Sequence, residues 1–377
     1  MNIIHTSDWH FGMSVGTDTY EDCQRYFLDR LYDLIQIEKV EAVLCAGDVY
    51  DSSVTNADAI RLFNEAATTL CADLGVKFIL IAGNHDSAAR LSSCSELLKA
   101  AGMYVYGTLP RDVQPVLLDE GRTAVYCLPY FTRDEVTALF PERKQDIRST
   151  EDAYQVVCDH IRASMDPQRR NILMAHAYIV NAELSDSDRS AKVGTATAVS
   201  KSVFDGFDYV ALGHIHKPQV IAPHIRYCGT PIKYSFGAEE KQTKGVVLID
   251  TDTMDQTFVP LPLLRDRHTI RGTYDEIMAR DDVRNDYLRL ELTDRYAGVE
   301  LYAALKEHFP YMLEMVGKTM GTEQVGDALT VEELETMDDE AIMLKFLAEN
   351  FAVAPSERQL DLFRSALEEY EKEEDLG

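Results

Sequence analysis

FILIAGNHDS, residues 78–87, places a short apolar run directly before a cluster of polar side chains. The run FILI is typical of a buried strand, and it stops at Gly83. Asn84, His85 and Asp86 follow in a row. An amide, an imidazole and a carboxylate at the end of a buried strand are costly without a purpose. The alternative interpretation of this stretch alone is a polar turn that caps the next helix.

Four other apolar runs end in a similar way, at residues 2–7, 42–46, 171–174 and 209–212. They are followed by DWH at 8–10, GD at 47–48, AH at 175–176 and GHIH at 213–216. Five of the ten histidines lie in these clusters. The polar side chains at the strand ends are Asp8, His10, Asp48, Asn84, His85, His176, His214 and His216.

Helical patterns separate the first three apolar runs, which predicts parallel βαβ units with ligands at the carboxyl ends of the strands. One helix is expected from Thr55, with Asp58 as a capping-box residue and Ile60 on its apolar face. Another is expected over 90–101. Short β patterns follow from residue 103. The fold class is therefore predicted as α/β, with two packed sheets and flanking helices.

A chain of 377 residues predicts two or three domains. We expect a catalytic domain over 1–262, a small α+β domain over 263–320 and an acidic helical segment over 321–377. Two amphipathic helices fit 338–373, and they either pack on the body or bind a partner.

Composition excludes some classes of function. No apolar run is long enough to span a membrane, and the N-terminus lacks the pattern of a signal peptide. Seven scattered cysteines without CxxC spacing predict reduced thiols and a cytoplasmic protein. The net charge of −27 argues against a chain that binds nucleic acid without a partner.

Carboxylates and imidazoles together are ligands of Mn²⁺, Fe²⁺ and Zn²⁺. Residues i and i+2 of a strand share one side, so DWH and HIH can each aim two side chains at one place. The number of ligands suggests two cations bridged by a carboxylate, which suits the hydrolysis of a phosphate ester. The alternative is a set of unrelated loop histidines.

The motifs at the strand ends resemble those of a known enzyme family. DWH, GD, GNHD, His176 and GHIH match in order the motifs of the calcineurin-like metallophosphoesterases. HTSDWHFG, CAGDVYD, IAGNHDSAARL, LGHIHKPQ and YCGTPIKYSFGAEEKQTKGVVLID are similar to the SbcD family of bacterial nuclease subunits, which act on DNA double-strand breaks. The resemblance covers nearly the whole chain and is weakest in the loop 182–201 and the acidic tail.

The resemblance implies one cation on Asp8, His10, Asp48 and His216, and another on Asp48, Asn84, His176 and His214. The bridging group is then Asp48, and the metal is Mn²⁺, with Mg²⁺ as the alternative. His85 is implied as a general acid near the scissile phosphate. Asp86 either orients His85 or caps the following helix, and Asp51 either supports the ligands or is solvated.

The resemblance also implies partners. These are an SbcC-type coiled-coil ATPase in a two-plus-two complex, a second copy of this chain, and double-stranded DNA ends and hairpins as substrates. Residues 338–373 would dock the ATPase, the helices over 55–74 and 90–101 would form the homodimer, and the small domain would cap the DNA. Two other hypotheses are a phosphoesterase for a small phosphodiester or monoester, and a non-catalytic scaffold.

Overall fold

The computed structural model describes residues 1–15, 18–189, 198–318, 360 and 364. The chain divides into two compact units, Met1–His268 and Thr269–Gly377. Most of the predicted docking segment 338–373 lies outside the described residues, and the boundaries at 262 and 320 stay predictions.

The strands and helices are numbered in chain order. The strands are β1 (Asn2–Thr6), β2 (Ser14–Val15), β3 (Asp18–Thr19), β4 (Val40–Cys45), β5 (Lys77–Ile81), β6 (Met103–Tyr106), β7 (Val116–Leu118), β8 (Thr123–Leu128), β9 (Arg170–His176), β10 (Tyr209–Gly213), β11 (Gln219–Ala222), β12 (Ile225–Tyr227), β13 (Gly245–Asp250), β14 (Gln256–Pro260), β15 (Arg267–Gly272), β16 (Tyr287–Leu292) and β17 (Met312–Val316). The α-helices are α1 (Glu21–Glu38), α2 (Ala57–Thr68), α3 (Ala88–Leu91), α4 (Ser95–Leu98), α5 (Arg133–Leu139), α6 (Thr150–Ser164), α7 (Asp186–Arg189), α8 (Tyr274–Met278) and α9 (Val299–His308).

The first unit contains two six-stranded sheets, in the orders β14-β13-β1-β4-β5-β6 and β11-β12-β10-β9-β8-β7. Strands β1, β4, β5 and β6 run parallel, as do β8, β9, β10 and β12. The other four strands of these sheets, β13, β14, β11 and β7, pair antiparallel. The predicted α/β class with two sheets and flanking helices is confirmed.

His5 joins the two sheets. Its side chain on β1 is fully buried, with Nδ1 2.8 Å from the Tyr209 hydroxyl and Nε2 3.1 Å from the Leu212 carbonyl of β10. The carbonyl can only accept, so Nε2–H donates to it and Nδ1 accepts from the hydroxyl. Burial, aided by the charge of Arg226, lowers the pKa of His5 to about 3. The ring is therefore neutral near neutral pH.

Two predicted helices differ from the structure. Helix α2 has Asn56 as its N-cap, whose side chain accepts from the Ala59 amide, so the capping-box interpretation of Asp58 is wrong. The apolar face is rotated accordingly, and Ile60 is 44% exposed. The helix expected over 90–101 is broken between α3 and α4, where Cys94 has a left-handed φ of 59°.

The second unit contains the three-stranded sheet β15-β16-β17 with helices α8 and α9. Three residues of β16 are buried in the core of this unit: Leu288, Leu290 and Leu292.

All seven cysteines are free. Among the residues that the structure describes, no helix has the length and apolar character needed to cross a membrane.

Replacing His5 with Leu leaves the Tyr209 hydroxyl and the Leu212 carbonyl buried without their partner. We expect the variant to lose about 1–3 kcal/mol of unfolding free energy at about pH 7.5, measured by urea denaturation.

The same variant will also change the pH dependence of stability. The pKa of His5 is lowered to about 3 in the folded protein. As pH falls below the ordinary histidine pKa, the unfolded state therefore binds a proton at His5 before the folded state does. The stability that this residue gives is present above the ordinary histidine pKa and is lost as pH falls towards 3. The wild type should lose about 2 kcal/mol more than His5→Leu between about pH 7.5 and pH 5. Equal slopes for the wild type and His5→Leu would contradict the argument.

Candidate metal centre

The carboxyl ends of five strands from both sheets meet in the first unit. Strands β1, β4 and β5 of one sheet are followed by Asp8 and His10, by Asp48, and by Asn84 and His85. Strands β9 and β10 of the other sheet end at His176 and Gly213, just before His214 and His216. The contacts below join all eight of these side chains in one cluster.

Unusual backbone geometry turns the side chains into this cluster. Asp8, His10, Asp48 and His214 have φ of 53°, 47°, 49° and 101°, in the left-handed region that side chains rarely adopt. Hydrogen bonds hold the turns, because the Asp8 amide donates to the Gly47 carbonyl at 2.9 Å and the His10 amide to the Asp48 carbonyl at 3.0 Å.

Asp8, His10 and His216 form a first group of donors whose ligand atoms lie within 4.8 Å of one another. The Nε2 atoms of the two imidazoles are 3.2 Å apart. The Asp8 carboxylate accepts the backbone N–H of His214 at 3.0 Å. All three side chains are buried.

Asp48, Asn84, His176 and His214 form a second group. Oδ1 of Asn84 lies 3.0 Å from Nε2 of His176 and 2.9 Å from Nδ1 of His214. Nδ1 of His176 donates to the Ala46 carbonyl at 2.9 Å, which leaves Nε2 as the nitrogen that can bind a cation.

The Asp48 carboxylate lies between the two groups. Its Oδ2 is 3.3 Å from Nε2 of His176 and 3.8 Å from Nε2 of His10. Its Oδ1 accepts the backbone N–H of His85 at 2.9 Å. One carboxylate therefore contacts the first group, the second group and the residue expected to act on the leaving oxygen.

Burial and charge act in opposite directions at this site. Burial raises the pKa of Asp8 to about 6 and, with the neighbouring imidazole of His176, lowers the pKa of His214 to about 3. Burial also disfavours the protonated form of His10. The carboxylates of Asp51, Asp48 and Asp8 outweigh this effect and raise the pKa of His10 to about 9. Burial disfavours the ionised form of Asp48, yet His176 and His10 hold its pKa well below the usual range.

The donor set fits divalent cations. The Nε2 atoms of His10 and His216 are 3.2 Å apart, close enough for both to reach one ion at a metal–nitrogen distance of about 2.1 Å. Buried carboxylates and imidazoles facing one another are the donors that cations such as Mn²⁺ and Zn²⁺ take.

The model of the calcineurin-like phosphoesterase family matches residues 1–218. The SbcD subunit of the nuclease SbcCD from Staphylococcus saprophyticus subsp. saprophyticus is 31% identical over 352 residues, which are 92% of this chain and 92% of that protein. The protein of the same name from Staphylococcus epidermidis is 30% identical over 353 residues, again 92% of each chain.

The chain belongs to the SbcD family of calcineurin-like phosphoesterases. It is therefore a metal-dependent phosphoesterase, and the strand-end cluster is where its donors converge. The family resemblance expected from the five motifs is confirmed.

The sequence did not reveal what holds His216 in this SbcD-family protein. The Ser187 hydroxyl lies 2.7 Å from its Nδ1, and the Asp188 carboxylate accepts its backbone N–H at 3.0 Å. Both residues come from the segment 182–201, for which the sequence predicted a long loop. No spacing rule connects them to residue 216, because only the tertiary fold brings them together.

A buried ion pair continues this network. Glu239 and Lys244 are both fully buried, 2.6 Å apart. Glu239 accepts from the Ser187 hydroxyl at 3.1 Å, and Lys244 donates to the His216 carbonyl at 2.8 Å. Lys244 holds the pKa of Glu239 at about 2 against the effect of burial. The pair therefore fixes the backbone and the ring of His216.

Asp86 and Asp51 support the site in different ways. Ser87, not Asp86, occupies the N-cap of α3, so the capping alternative for Asp86 is wrong. Its carboxylate instead accepts the backbone N–H groups of Gly83, Val49 and Tyr50 at 2.9–3.1 Å. Asp51 lies beside the first group, with Oδ1 3.4 Å from Nδ1 of His10.

Gly83 allows Asp48 its position. A Cβ at residue 83 would collide with Oδ1 and the backbone N of Asp48. Gly83→Ala should therefore displace this carboxylate and weaken Mn²⁺ binding at least about tenfold in calorimetry, since loss of supporting contacts alone costs 10–100-fold.

Gly298→Ala is the matched control, because a Cβ there meets no atom within 4 Å. Its Mn²⁺ affinity should equal that of the wild type. Wild-type affinity in a folded Gly83→Ala protein would show that Asp48 does not hold the cation.

Proposed function

We propose that this protein is a nuclease subunit that hydrolyses DNA phosphodiester bonds with two divalent cations. The supporting observation is the position of Asp48, whose carboxylate reaches both donor groups. In this proposal Asp8, His10, Asp48 and His216 hold one cation, and Asp48, Asn84, His176 and His214 hold the other. The proposed metal is Mn²⁺, with Mg²⁺ as the alternative.

Two cations held at such a site polarise the phosphate and lower the pKa of a water nucleophile. The protein's own contribution begins with His85. Its Nδ1 donates to the Asp51 carbonyl at 2.8 Å, and its backbone N–H holds Asp48. Its Nε2 makes no hydrogen bond to any described residue. In the doubly protonated ring, whose Nδ1–H stays on the Asp51 carbonyl, Nε2–H is the group that can give a proton to the leaving oxygen and leave a neutral imidazole.

The relatives support a nucleic acid as the substrate. Both are named as the SbcD subunit of the nuclease SbcCD, and the match spans nearly the whole of each chain. We propose exonuclease action on double-stranded ends from 3′ to 5′ and endonuclease action on hairpins, in repair, recombination and replication in the cytoplasm.

The charge of −27 requires help in binding DNA. An SbcC-type ATPase in a two-plus-two complex would supply basic surface, docked on residues 338–373, and the unit after residue 262 would cap the DNA. The homodimer would use the segments 55–74 and 90–101. Ile60 and Leu97 are 44% and 77% exposed there, which supports an apolar contact.

The same charge favours a second candidate, a phosphoesterase for a small phosphodiester or monoester. An assay with Mn²⁺ on linear duplex, hairpin DNA and bis(p-nitrophenyl) phosphate separates the two, run with and without an SbcC-type ATPase. We expect both DNA substrates to be cut. Cleavage of the small ester alone, together with no binding of the ATPase, would overturn the nuclease proposal.

Replacing His85 with Leu removes the proton donor while leaving every proposed metal ligand in place. The variant should lose DNA cleavage by at least about a hundredfold, the usual size of a general-acid contribution. Its Mn²⁺ stoichiometry, measured by calorimetry, should stay at the wild-type value.

His160→Leu makes the same chemical change at a half-exposed position, and its activity should be unchanged. Loss of bound metal in His85→Leu would instead identify His85 as a ligand.

A further inference from the structure

A cavity of about 520 Å³ opens directly beside the metal centre. His176 and His214 form part of its wall, so a molecule inside it lies next to the second donor group. The rest of the wall comes from the loop before α5, the start of α6 and the residues after β9. Its size is typical of a site for a small molecule or a single nucleotide.

Two partly buried tyrosines line this cavity beside the histidines. The Tyr130 ring lies 6.5 Å from the His176 ring at an interplanar angle of 83°, and the Tyr178 ring lies 6.4 Å from the His214 ring at 54°. No hydrogen bond to a described residue occupies either hydroxyl. Aromatic faces at this position can stack on a nucleic-acid base.

Two arginines, both exposed, lie on the same wall. Arg133 is paired with Asp134, 3.0 Å away. The guanidinium of Arg148 donates to the Gln145 carbonyl at 3.3 Å, and in the described part of the chain no carboxylate lies within ion-pair distance of it. With Asp134 as the acidic group of the lining, the two arginines leave a net charge of +1. The chain as a whole has a net charge of −27, so a positively charged cavity stands out, and it is suited to binding a phosphate.

We propose that this cavity binds one unpaired nucleotide of the strand whose neighbouring phosphate is cut. The base stacks on Tyr178, with Tyr130 on the other side, and Arg148 binds the adjoining phosphate. Because the cavity has room for only one nucleotide, the base pairs at a duplex end must open before one strand can enter it. This inference rests on the proposed nuclease function and adds a site that selects unpaired ends.

The test uses a duplex whose unpaired 3′-terminal nucleotide is 2-aminopurine, bound with Mg²⁺ to the His85→Leu form, alone and in complex with the ATPase. Stacking in the cavity should quench the fluorescence. Tyr178→Leu should abolish the quenching, while Tyr178→Phe, which keeps the ring, should retain it. A fully paired 2-aminopurine end should be quenched less.

Binding affinity and kinetics test the role of Arg148. Arg148→Ala should weaken binding of this DNA about tenfold and raise KM with a smaller change in kcat. Arg143→Ala is the matched control, since Arg143 is paired with Asp146 and lies outside the cavity, and it should bind as the wild type does.

The outcomes separate this inference from the function on which it rests. Bound DNA without quenching, quenching that survives Tyr178→Leu, or wild-type affinity in Arg148→Ala would overturn the nucleotide site alone. Failure of the protein to bind or cut DNA in either form, with turnover of bis(p-nitrophenyl) phosphate intact, would overturn the nuclease function as well.

Discussion

The structure depends on the burial of two carboxylates, Asp8 and Asp48, against imidazoles that come from the other sheet. Each carboxylate is almost fully excluded from water, which costs several kcal/mol per charge unless positive groups compensate. His176 lies 3.3 Å from Asp48, but an imidazole that binds a cation is neutral and therefore compensates only in part. Divalent cations complete the balance, and this explains why a phosphoesterase can keep so many ionisable groups in its interior.

Precise placement of these groups comes from the layers around them. Glycine at position 83 lets the Asp48 carboxylate approach the neighbouring strand end, and Asp86 binds three backbone amides to hold the two loops together. On the opposite side, the Glu239–Lys244 pair and Ser187 hold His216. Such supporting contacts determine how well a metal site is preorganised.

The sequence predicted the strands and their polar ends well, because buried parallel strands are short apolar runs with sharp ends. Strands β1, β4, β9 and β10 agree to within two residues with the apolar runs 2–7, 42–46, 171–174 and 209–212. Helix starts were less accurate: Asn56 rather than Thr55 caps α2, since either residue type can cap and the chain gives no rule for choosing. The breaks around Cys94 and the contacts of Asp188 depend on tertiary packing, which single-sequence periodicity does not contain.

The donors are divided unequally along the chain, and this has a consequence for synthesis. Four of them, Asp8, His10, Asp48 and Asn84, belong to the sheet whose parallel core is complete once residue 106 has emerged from the ribosome. His176, His214 and His216 emerge later, on the other sheet. A nascent polypeptide can therefore assemble this centre only after both halves have been translated and joined, and an interrupted product shorter than 216 residues lacks at least one proposed donor.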